Sequence, residues 1–398
     1  MSAATDALRG GSSPGSGSAF IIGMGKFLPN PAVGNDEIEN VLGLIGGRRS
    51  RAKRITLRRN GILSRHYAID SATGELAYTN AQMTAAAVRD VLTRTGLSVA
   101  DLDLLVCGTS SPDQIMPAHA QMVHGELGEA RLEVVSIAGV CSSGMSALKH
   151  AYLSVKAGET ERAVSSGSEL ASSFMVARNF SAESAQSVDA GAWRPELAFE
   201  KDFLRWMLSD GAGAALVAAQ PAAGSIALRI DWIEGVSLAN ELPVCMYGGA
   251  IRLPDGRLRG WREAGSPKEL VDQHYMSIKQ DARLLDSAIN RLISADTLGE
   301  IAKRRGLTAA DIDWFLPHYS SEYFRNALSE RLVELGFHIP QERWFANLPR
   351  VGNVGSAAVY MMLEELMNSG RLERGQRLLC LVPESARFAA YYMMLTVV

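Results

Sequence analysis

Gly96–Ser111 reads GLSVADLDLLVCGTSS, and Gly306–Ser321 reads GLTAADIDWFLPHYSS. These two stretches are identical at seven of sixteen positions, which indicates that the chain contains an internal duplication. Each copy is typical of a helix that ends at glycine, a short helical turn that begins at Ser98 or Thr308, and an apolar run that predicts a buried parallel strand. In each copy the strand leads into a polar loop.

The repeat continues downstream. Cys141 begins one predicted helix in VCSSGMSAL, and Asn353 begins another in GNVGSAAVY. An apolar strand follows each helix, so Glu169 and Glu384 occupy comparable positions at the strand ends. We therefore predict an α/β protein built from a duplicated βαβ-rich unit, with each copy contributing a sheet flanked by helices about a pseudo-twofold axis. The predicted halves are residues 19–235 and 236–398, after a disordered tail at residues 1–18.

The composition is that of an ordinary globular protein. Hydrophobic residues make up 47% of the 398 residues, charged residues make up 21%, and the formal net charge is −3. The four cysteines are far apart and form no CxxC pair, which argues against a disulfide framework, a zinc ribbon and an iron–sulfur site. The expected setting is reducing and cytosolic. No stretch is typical of a membrane span, and the N-terminal tail lacks the apolar core of an export signal.

Cys141 is the candidate nucleophile. An apolar strand runs into Gly139-Val-Cys-Ser-Ser-Gly, and a helix begins at once, so the sulfur is expected at a helix N-terminus. Free backbone N–H groups and the helix dipole are expected to stabilise the thiolate there. The other cysteines, Cys107, Cys245 and Cys380, lie in or beside apolar runs and are interpreted as core residues.

His318 and Asn353 complete a candidate site. His318 follows WFLP at a predicted strand end, whereas the other histidines are interpreted as surface or core residues. Asn353 occupies the turn that the repeat matches to the Cys141 turn, and a turn asparagine is by itself more often a helix N-cap. If the two halves face each other, Cys141 and Asn353 converge at the pseudo-axis and His318 arrives from the neighbouring strand end.

An aromatic-rich excursion lies between the halves. The segment Glu169–Leu208 concentrates aromatic side chains in an otherwise aromatic-poor chain. We consider a lid or binding wall and a packed pair of surface helices equally compatible with this pattern. Its aromatic residues are Phe174, Phe180, Trp193, Phe199, Phe203 and Trp206.

A basic cluster lies near the N-terminus. It contains no interleaved aromatic residue, which disfavours binding of single-stranded nucleic acid. Such a run is most often a solvated face, and the minority hypothesis is a docking patch for an acidic protein partner. Its members are Arg48, Arg49, Arg51, Lys53, Arg54, Arg58 and Arg59.

The order of these motifs resembles the thiolase superfamily, specifically its ketosynthase III branch, the β-ketoacyl-acyl-carrier-protein synthase III-like enzymes. The motifs are the opening strand AFIIGMGKFLPN, the segment CGTSSPDQIMP, the turn VCSSGMSA, the strand start LSDGAGAAL, the histidine loop LPHYSS and the asparagine turn RVGNVGSAA. The resemblance implies a homodimer of thiolase-like five-layered α/β/α/β/α subunits. It also implies acyl-CoA or acyl-carrier-protein substrates and neither a metal nor an organic cofactor.

The resemblance implies roles for individual residues. Cys141 would carry an acyl group, while His318 and Asn353 would donate hydrogen bonds to the thioester oxygen of a second substrate. Backbone N–H groups of Cys141 and Ser385 would form the other oxyanion hole. Walls of the acyl tunnel are expected from Pro112, Ile115, Met116 and Phe203, with segment 108–122 contributing partly across the dimer.

Two loops depart from the family pattern. The usual PHQAN is here Pro-His-Tyr-Ser-Ser, and the usual glycine-rich loop near the C-terminus is Pro-Glu-Ser-Ala-Arg. These departures favour the ketosynthases of dialkylresorcinol and cyclohexanedione pathways, which condense and then cyclise, over housekeeping fatty-acid initiation. We hypothesise that Glu169 and Arg387, close to Glu384, assist proton transfer and ring closure. A structural ion pair beneath the site is equally compatible with the sequence.

Other classes of protein remain as alternatives. The nearest is a ketosynthase III-like acyltransferase that uses a hydroxyl or amine acceptor. A papain-like protease shares the order Cys, His, Asn but has a CGSCW-type signature that is missing here and shows no such duplication. A non-catalytic partner subunit would have no use for a cysteine on a thiolate-stabilising turn.

Overall fold

The computed structural model describes residues 17–50, 53–128, 130–180, 203–221 and 224–398. Of the predicted N-terminal tail, only Gly17 and Ser18 are among them, and Ala19 is already buried. Much of the aromatic excursion, including Trp193 and Phe199, lies outside the described residues, so its interpretation as a lid stays a prediction.

The described residues form one large sheet of nine strands and three small sheets of two short strands each. In chain order they are β1 (Phe20–Phe27), β2 (Val33–Gly34), β3 (Ser64–Arg65), β4 (Leu104–Thr109), β5 (Glu133–Ala138), β6 (Arg162–Glu169), β7 (Gly211–Ala218), β8 (Leu228–Ser237), β9 (Met246–Tyr247), β10 (Ala250–Arg252), β11 (Leu258–Gly260), β12 (Lys279–Gln280), β13 (Trp314–Pro317), β14 (Arg377–Glu384) and β15 (Ala389–Val397).

The helices range from single turns to four turns or more. In chain order they are α1 (Ile38–Leu42), α2 (Lys53–Asn60), α3 (Asn80–Thr95), α4 (His119–Leu127), α5 (Ser142–Ala157), α6 (Ser172–Met175), α7 (Pro267–Asp272), α8 (Ala282–Ala288), α9 (Glu300–Arg305), α10 (Tyr323–Glu334), α11 (Leu348–Val351) and α12 (Ala358–Met367).

The large sheet shows the duplication directly. Its strand order is β13-β14-β15-β8-β1-β7-β6-β4-β5. Read outward from the β1–β8 junction, both halves repeat one pattern: a first strand, an antiparallel neighbour, and then strands parallel to one another. Within the described sheet, the strands of the two halves pair where Phe20 is opposite Arg229 and Ile21 is opposite Leu228. The predicted internal duplication is therefore confirmed.

The boundary between the halves differs from the predicted one. β8 pairs with β15 along its whole length, so it is the first strand of the second half. The boundary predicted between residues 235 and 236 falls inside β8, and the halves divide between the end of β7 at Ala218 and the start of β8 at Leu228. The apolar pattern identifies a strand here, but only its pairing shows which half it joins.

Alternate residues of the strands pack into different hydrophobic cores. In β14, Leu378 and Cys380 face a central core that also contains α5 and α12, whereas Leu379 and Leu381 face an outer core with α8 and α10. β4 alternates in the same way between the central core and a second outer core that includes α3 and α4. The layers are therefore helix, sheet, helix, sheet, helix, as expected for a five-layered α/β/α/β/α fold.

The two central helices touch where only glycine fits. A Cβ atom on Gly144 of α5 would lie 2.1 Å from the carbonyl oxygen of Ser356, and one on Gly167 of β6 would lie 2.3 Å from the same atom. Tyr360 of α12 donates a hydrogen bond of 2.8 Å to the carbonyl oxygen of Gly144. The small residues of the nucleophile turn thus allow the two halves to meet at their helix N-termini. No helix in the described part of the chain is both long and apolar enough to cross a membrane.

Candidate active site

Cys141 lies at the start of α5. β5 ends at Ala138, and Cys141 has helical dihedral angles (φ −54°, ψ −32°) immediately before the first residue of the helix. Its side chain is partly accessible, whereas Cys107, Cys245 and Cys380 are buried. The strand, turn and helix therefore place one thiol at a helix N-terminus, as the sequence predicts.

The electrostatics of this thiol differ from the prediction. Burial raises the pKa of the Cys141 thiol well above its usual range, and the nearby carboxyl groups of Glu169 and Glu384 raise it further. Its own backbone N–H lowers the pKa by a smaller amount. The expectation of a stabilised thiolate is therefore wrong, because desolvation and the two neighbouring carboxyl groups outweigh the helix N-terminus.

His318 follows the last residue of β13. Its backbone N–H donates to the carbonyl oxygen of Leu381 at 2.7 Å, which extends the β13–β14 pairing by one residue. The side chain is 5% exposed, and burial lowers the pKa of the imidazole to about 4. The ring is therefore neutral at physiological pH, and neither ring nitrogen bonds to another of the described residues. It keeps one N–H donor for a substrate.

The backbone N–H and carbonyl groups of Asn353 both form hydrogen bonds to the segment before β7. Its N–H donates to Met207 at 3.0 Å, and its carbonyl oxygen accepts from Ser209 at 2.9 Å. The side-chain oxygen accepts from the N–H of Gly355 at 3.0 Å, which is the local turn bond expected of a helix-capping asparagine. The capping role and the site role are compatible, because the side-chain NH₂ group bonds to none of the described residues.

One cavity brings the predicted residues together. Cys141, His318 and Asn353 all line it, as do Glu169 and Ser385. Its volume is about 1070 Å³ including the open mouth. Most of the remaining wall is apolar and comprises Val140, Ala171, Phe174, Leu204, Met207, Leu208, Met246, Ile278, Leu285, Ile289, Ile293, Phe324, Leu328, Leu381 and Pro383.

Two glutamates hold the helix starts of the opposite halves. Glu169 of the first half accepts from the backbone N–H of Ser356, at the start of the second-half helix, at 3.2 Å. Glu384 of the second half accepts from the hydroxyl of Ser142, the first residue of α5, at 2.8 Å. The glutamates end matched strands of the repeat, but one accepts from a backbone N–H and the other from a side-chain hydroxyl. Anionic groups are favourable at helix N-termini, so each half stabilises a helix start of the other.

Glu169 is the one carboxylate among the described residues that line the cavity. Its carboxylate accepts hydroxyl hydrogen bonds from Ser110 at 2.6 Å and Ser111 at 2.7 Å. Burial raises the pKa of Glu169, while these serine hydrogen bonds and that of Ser356 oppose the rise. Neither serine was predicted as a site residue, although both follow β4 just as the loop of His318 follows β13.

Arg387 lies outside the site. Its side chain is exposed and donates to the carbonyl oxygen of Ala239, and its backbone N–H donates to Glu384 at 3.3 Å. The side chain does not line the cavity and forms no ion pair with a carboxylate of the described residues. The hypothesis that Glu169 and Arg387 act together, and the alternative of an ion pair between them, are both wrong, because the hairpin between β14 and β15 turns the arginine toward solvent.

The predicted tunnel residues do not line the cavity of this chain. Pro112 is exposed, Ile115 is 65% exposed, and Met116 is 81% exposed. Phe203 is partly buried in the outer core, whereas its neighbours Leu204, Met207 and Leu208 reach the cavity. Within one chain, the apolar wall comes instead from residues of α8, α10 and the segment before β7, which no local motif distinguishes. The expected contribution of segment 108–122 across a dimer stays a prediction.

Two further polar groups of the wall were not predicted. Gln280 of β12 lines the cavity and donates to the hydroxyl of Ser385 at 3.0 Å. Tyr319 is buried beside His318, donates to Glu322 at 3.1 Å and accepts from Arg325 at 3.1 Å. These contacts brace the two loops that depart from the family pattern.

Comparison with known proteins agrees with this arrangement. Residues 302–382 match the family model described as 3-oxoacyl-(acyl-carrier-protein, ACP) synthase III C terminal, and residues 65–197 match that of the thiolase N-terminal domain. The first range contains His318 and Asn353, and the second contains Cys141 and Glu169. The chain is a ketosynthase III-like member of the thiolase superfamily.

Similar proteins span nearly the whole chain. β-Ketoacyl-(acyl-carrier-protein) synthase III 1 of Deinococcus radiodurans is 26% identical over 365 residues, which cover 92% of this chain and 90% of the relative. Among solved structures, AbyA1, a tetronic acid condensing enzyme, has a TM-score of 0.72 at 22% identity, with 95% of this chain and 99% of that chain covered. A cysteine-to-serine variant of Xanthomonas campestris OleA with bound lauric acid and lauroyl-CoA has a TM-score of 0.71 at 18% identity, with 96% and 99% covered. This ketosynthase III-like chain is an enzyme of the acyltransferase class.

Proposed function

We propose that this enzyme joins an acyl group held on Cys141 to the α-carbon of a second acyl or β-ketoacyl thioester by Claisen condensation. The observation that carries the proposal is the convergence of Cys141, His318 and Asn353 on one largely apolar cavity. The relatives named as β-ketoacyl synthases III support a condensing activity. The chemistry needs only side chains, backbone groups and thioester substrates.

In the first step, the sulfur of Cys141 attacks the carbonyl carbon of an acyl-CoA or acyl-carrier-protein thioester. A new C–S bond forms, the thioester C–S bond breaks, and the carrier thiol leaves with the proton lost by Cys141. Because the resting thiol is neutral, its proton must depart as the sulfur attacks. Backbone N–H groups of Cys141 and Ser385 would hold the transient oxyanion.

In the second step, another thioester becomes an enolate by losing carbon dioxide or an α-proton. The N–H of neutral His318 and the side-chain NH₂ of Asn353 would donate to its oxygen as negative charge develops. The enolate carbon attacks the acyl carbonyl, the C–C bond forms, and the C–S bond to Cys141 breaks. The sulfur then takes up a proton and returns to the thiol.

The cavity favours a substrate with a long apolar chain. Its wall continues from Cys141 to Leu285, Ile289 and Leu328 on α8, the turn after it and α10. Fully burying apolar groups is worth roughly 0.8 kcal/mol per methylene. A two-carbon starter unit would leave most of this surface uncovered, so the proposed substrates are medium-chain or long-chain acyl thioesters rather than the starter of housekeeping fatty-acid initiation.

Glu169 is the proposed group for proton transfer. It is the one carboxylate lining the cavity among the described residues, and the serines that bind it fix its orientation. It would take the α-proton when the second substrate carries no carboxyl group to lose, and it would orient a β-ketoacyl product for ring closure. Arg387 has no part in this proposal because it faces solvent.

A homodimer is also proposed, with β5 as the contact. β5 is the last strand of the sheet at its end, and most of its side chains are half-buried or exposed, including Val134, Val135 and Ile137. An exposed apolar edge strand is a ready template for pairing with another chain. The exposed Ile115 and Met116 lie on the loop after β4, the neighbouring strand.

Intact-mass measurement tests the proposed chemistry. The enzyme is incubated with acyl-CoA esters of two to sixteen carbons, and we expect one acyl adduct that peptide mapping places on Cys141 and that Cys141→Ala lacks. Adding malonyl-CoA or a β-ketoacyl-CoA should then release the adduct as a longer or cyclised product. Transfer of the acyl group to an added alcohol or amine instead would favour the acyltransferase alternative. No adduct with any chain length would contradict the proposal.

A further inference from the structure

The cavity wall contains a pair of polar side chains that the proposed condensation does not use. Gln280 of β12 is 3% exposed, and its side-chain Nε2 donates to the hydroxyl oxygen of Ser385 at 3.0 Å. Both residues line the cavity, in a wall that also includes the apolar Met246 and Ile278. Burying polar side chains costs free energy unless their donors and acceptors are hydrogen-bonded, so packing alone does not explain the pair.

Part of the hydrogen-bonding capacity of the pair is free for a ligand. The side-chain oxygen of Gln280 accepts from none of the described residues, and the hydroxyl of Ser385 donates to none of them. The pair therefore presents one acceptor and one donor to the cavity. If the amide is rotated by half a turn, the hydroxyl donates to the amide oxygen, and the amide NH₂ and the hydroxyl oxygen present the same combination.

The pair lies beside the nucleophile. Ser385 directly follows Glu384, whose carboxylate accepts from the hydroxyl of Ser142 at 2.8 Å, and Ser142 directly follows Cys141. Ser385 and Cys141 also line the same cavity. The first carbon atoms of an acyl group on Cys141 are therefore the part of the chain that the pair can reach.

The backbone holds Gln280 in place relative to Ser385. Gln280 pairs with Met246 in the two-stranded sheet of β12 and β9. The N–H groups of Met246 and Cys245 both donate to the carbonyl oxygen of Ala386, the residue after Ser385, at 3.1 Å and 2.8 Å. A binding group on paired strands keeps its geometry better than one on a free loop, so the pair is preorganised for a ligand.

We propose that Gln280 and Ser385 bind a hydroxyl group at carbon 3 of the acyl chain, so that the enzyme selects 3-hydroxyacyl thioesters. This rests on the proposed function, which places the acyl group on Cys141 and its carbonyl oxygen near the backbone N–H of Ser385. The backbone nitrogen and the hydroxyl oxygen of one serine lie close together, as do the carbonyl oxygen and the hydroxyl of a 3-hydroxyacyl group. Ser385 can therefore bind both oxygen atoms.

The pair distinguishes a hydroxyl from other groups at this carbon. A hydroxyl both donates and accepts, so it bonds to Gln280 and Ser385 at once, whereas a ketone only accepts and bonds to one of them. A methylene bonds to neither and leaves both polar groups unpaired once the acyl chain displaces water. For this reason a site built to bind a hydroxyl discriminates strongly against the analogue that lacks it.

The test compares acyl donors that differ only at carbon 3. Wild-type enzyme is acylated with decanoyl-CoA and with each enantiomer of 3-hydroxydecanoyl-CoA, and kcat/KM for modification of Cys141 is followed by intact mass. We expect the better hydroxy enantiomer to exceed decanoyl-CoA by about ten- to a hundredfold. Equal values for the three donors would overturn the proposal.

Gln280→Leu removes the amide at nearly constant side-chain volume. It should bring the ratio of the two kcat/KM values to within about threefold of one. The control Gln273→Leu makes the same change at an exposed residue of the same segment that does not line the cavity, and it should keep the wild-type ratio. Ser385→Ala keeps the backbone N–H and tests the pair independently if leucine at position 280 prevents folding. A wild-type ratio in both Gln280→Leu and Ser385→Ala would contradict the assignment.

Binding is measured separately from chemistry. Decanoyl-CoA, 3-oxodecanoyl-CoA and 3-hydroxydecanoyl-CoA are titrated into the Cys141→Ala enzyme by calorimetry, with and without Gln280→Leu. Tightest binding of the 3-hydroxy compound, lost with Gln280→Leu, supports the pair even if no thioester acylates Cys141, which would contradict only the proposed function. Acylation of Cys141 with no preference for the hydroxyl in either rate or binding would overturn only the assignment of the pair.

Discussion

The two halves of this enzyme share a sheet order but differ at one matched position that decides the chemistry. Gly108 at the end of β4 corresponds in the repeat to His318 after β13. A Cβ on Gly108 would lie 2.4 Å from the carbonyl oxygen of Ser143, so α5 closes the end of β4. At His318 the same position opens on the cavity. The duplication therefore gives both halves the same strand order, and the different residues at matched positions place His318 on the cavity in only one of them.

The strands that lead to the two helix starts also differ between the halves. In the first half, the complete strand β5 leads into the turn that carries Cys141. In the second half, the corresponding strand is reduced to one bridge between Phe315 and Trp344, and the chain continues into the turn that carries Asn353. In the described sheet, β5 is the end strand of the first half, where the proposed homodimer would form, whereas β13 at the other end carries only the bridge to Trp344.

The largest expected effect is that of His318→Ala, which should slow condensation much more than acylation of Cys141. His318→Ala should lower the condensation rate by about 10²–10³-fold, because one donor to the enolate oxygen is lost, while acylation of Cys141 should fall by much less. Stopped reactions analysed by intact mass and by product mass measure the two steps independently. An equal loss of both steps would show that the two halves do not divide the chemistry in this way.

Gly108, which the repeat matches to His318, tests how closely α5 packs against β4. Gly108→Ala should destabilise the protein by about 1–3 kcal/mol, because the new methyl group overlaps the backbone of Ser143. Urea denaturation followed by circular dichroism measures the change. The control is Gly125→Ala in α4, where a Cβ would meet no atom within 4 Å and a small stabilisation is expected. Equal stability of the two variants would contradict the close approach of α5 to β4.

The pKa values of Cys141 and His318 are shifted in opposite directions, upward for the thiol and downward for the imidazole. The pH dependence of a reaction at each group should reflect its shift. Because the pKa of the Cys141 thiol is raised, its alkylation by iodoacetamide should increase about tenfold per pH unit from pH 7 to pH 9 without levelling off. Because the pKa of His318 is lowered to about 4, release of a preformed acyl-enzyme should not decline through imidazole protonation between pH 8 and pH 5.5. A plateau of alkylation near pH 7 would indicate a stabilised thiolate instead.

The smallest expected effect is on Cys141 alkylation when either strand-end glutamate, Glu169 or Glu384, is replaced. Replacing Glu169 or Glu384 with glutamine should make Cys141 alkylation severalfold faster at pH 8, since each carboxylate raises the pKa of the thiol. Only Glu169→Gln should also slow the condensation of a β-ketoacyl thioester or stop its cyclisation, because Glu384 does not line the cavity. Unchanged cyclic product with Glu169→Gln would remove this residue from the proposed mechanism.

Much of the fold and the centre of the site could be predicted from local patterns. Apolar runs, left-handed glycines at helix ends and the two Ser/Thr–Asp turns are encoded within windows of a few residues, and the structure shows them at Gly96, Gly306, Ser98 and Thr308. The repeat then related the turns of distant segments, which is why Cys141, His318 and Asn353 were found together.

The predicted residues that lie away from the cavity of the single chain have a different physical origin. Pro112, Ile115 and Met116 follow a strand end, as site residues do, yet their loop runs over the surface. Arg387 is close to Glu384 in sequence, but a hairpin with Phe388 at a positive φ of 58° carries the arginine outward. The direction of a side chain at a loop depends on backbone angles and neighbouring elements that the pattern of residue types does not specify.

The sequence by itself determined the duplicated α/β architecture, the strand–turn–helix that presents Cys141 and the residue types of the site, because these follow from short-range periodicity and backbone preferences. Only the tertiary structure decided that each half's glutamate holds the other half's helix start, that α8 and α10 supply the apolar wall, and that the thiol is neutral at rest. Those properties depend on burial and on distances between groups nearly two hundred residues or more apart, as Glu169 and Ser356 illustrate.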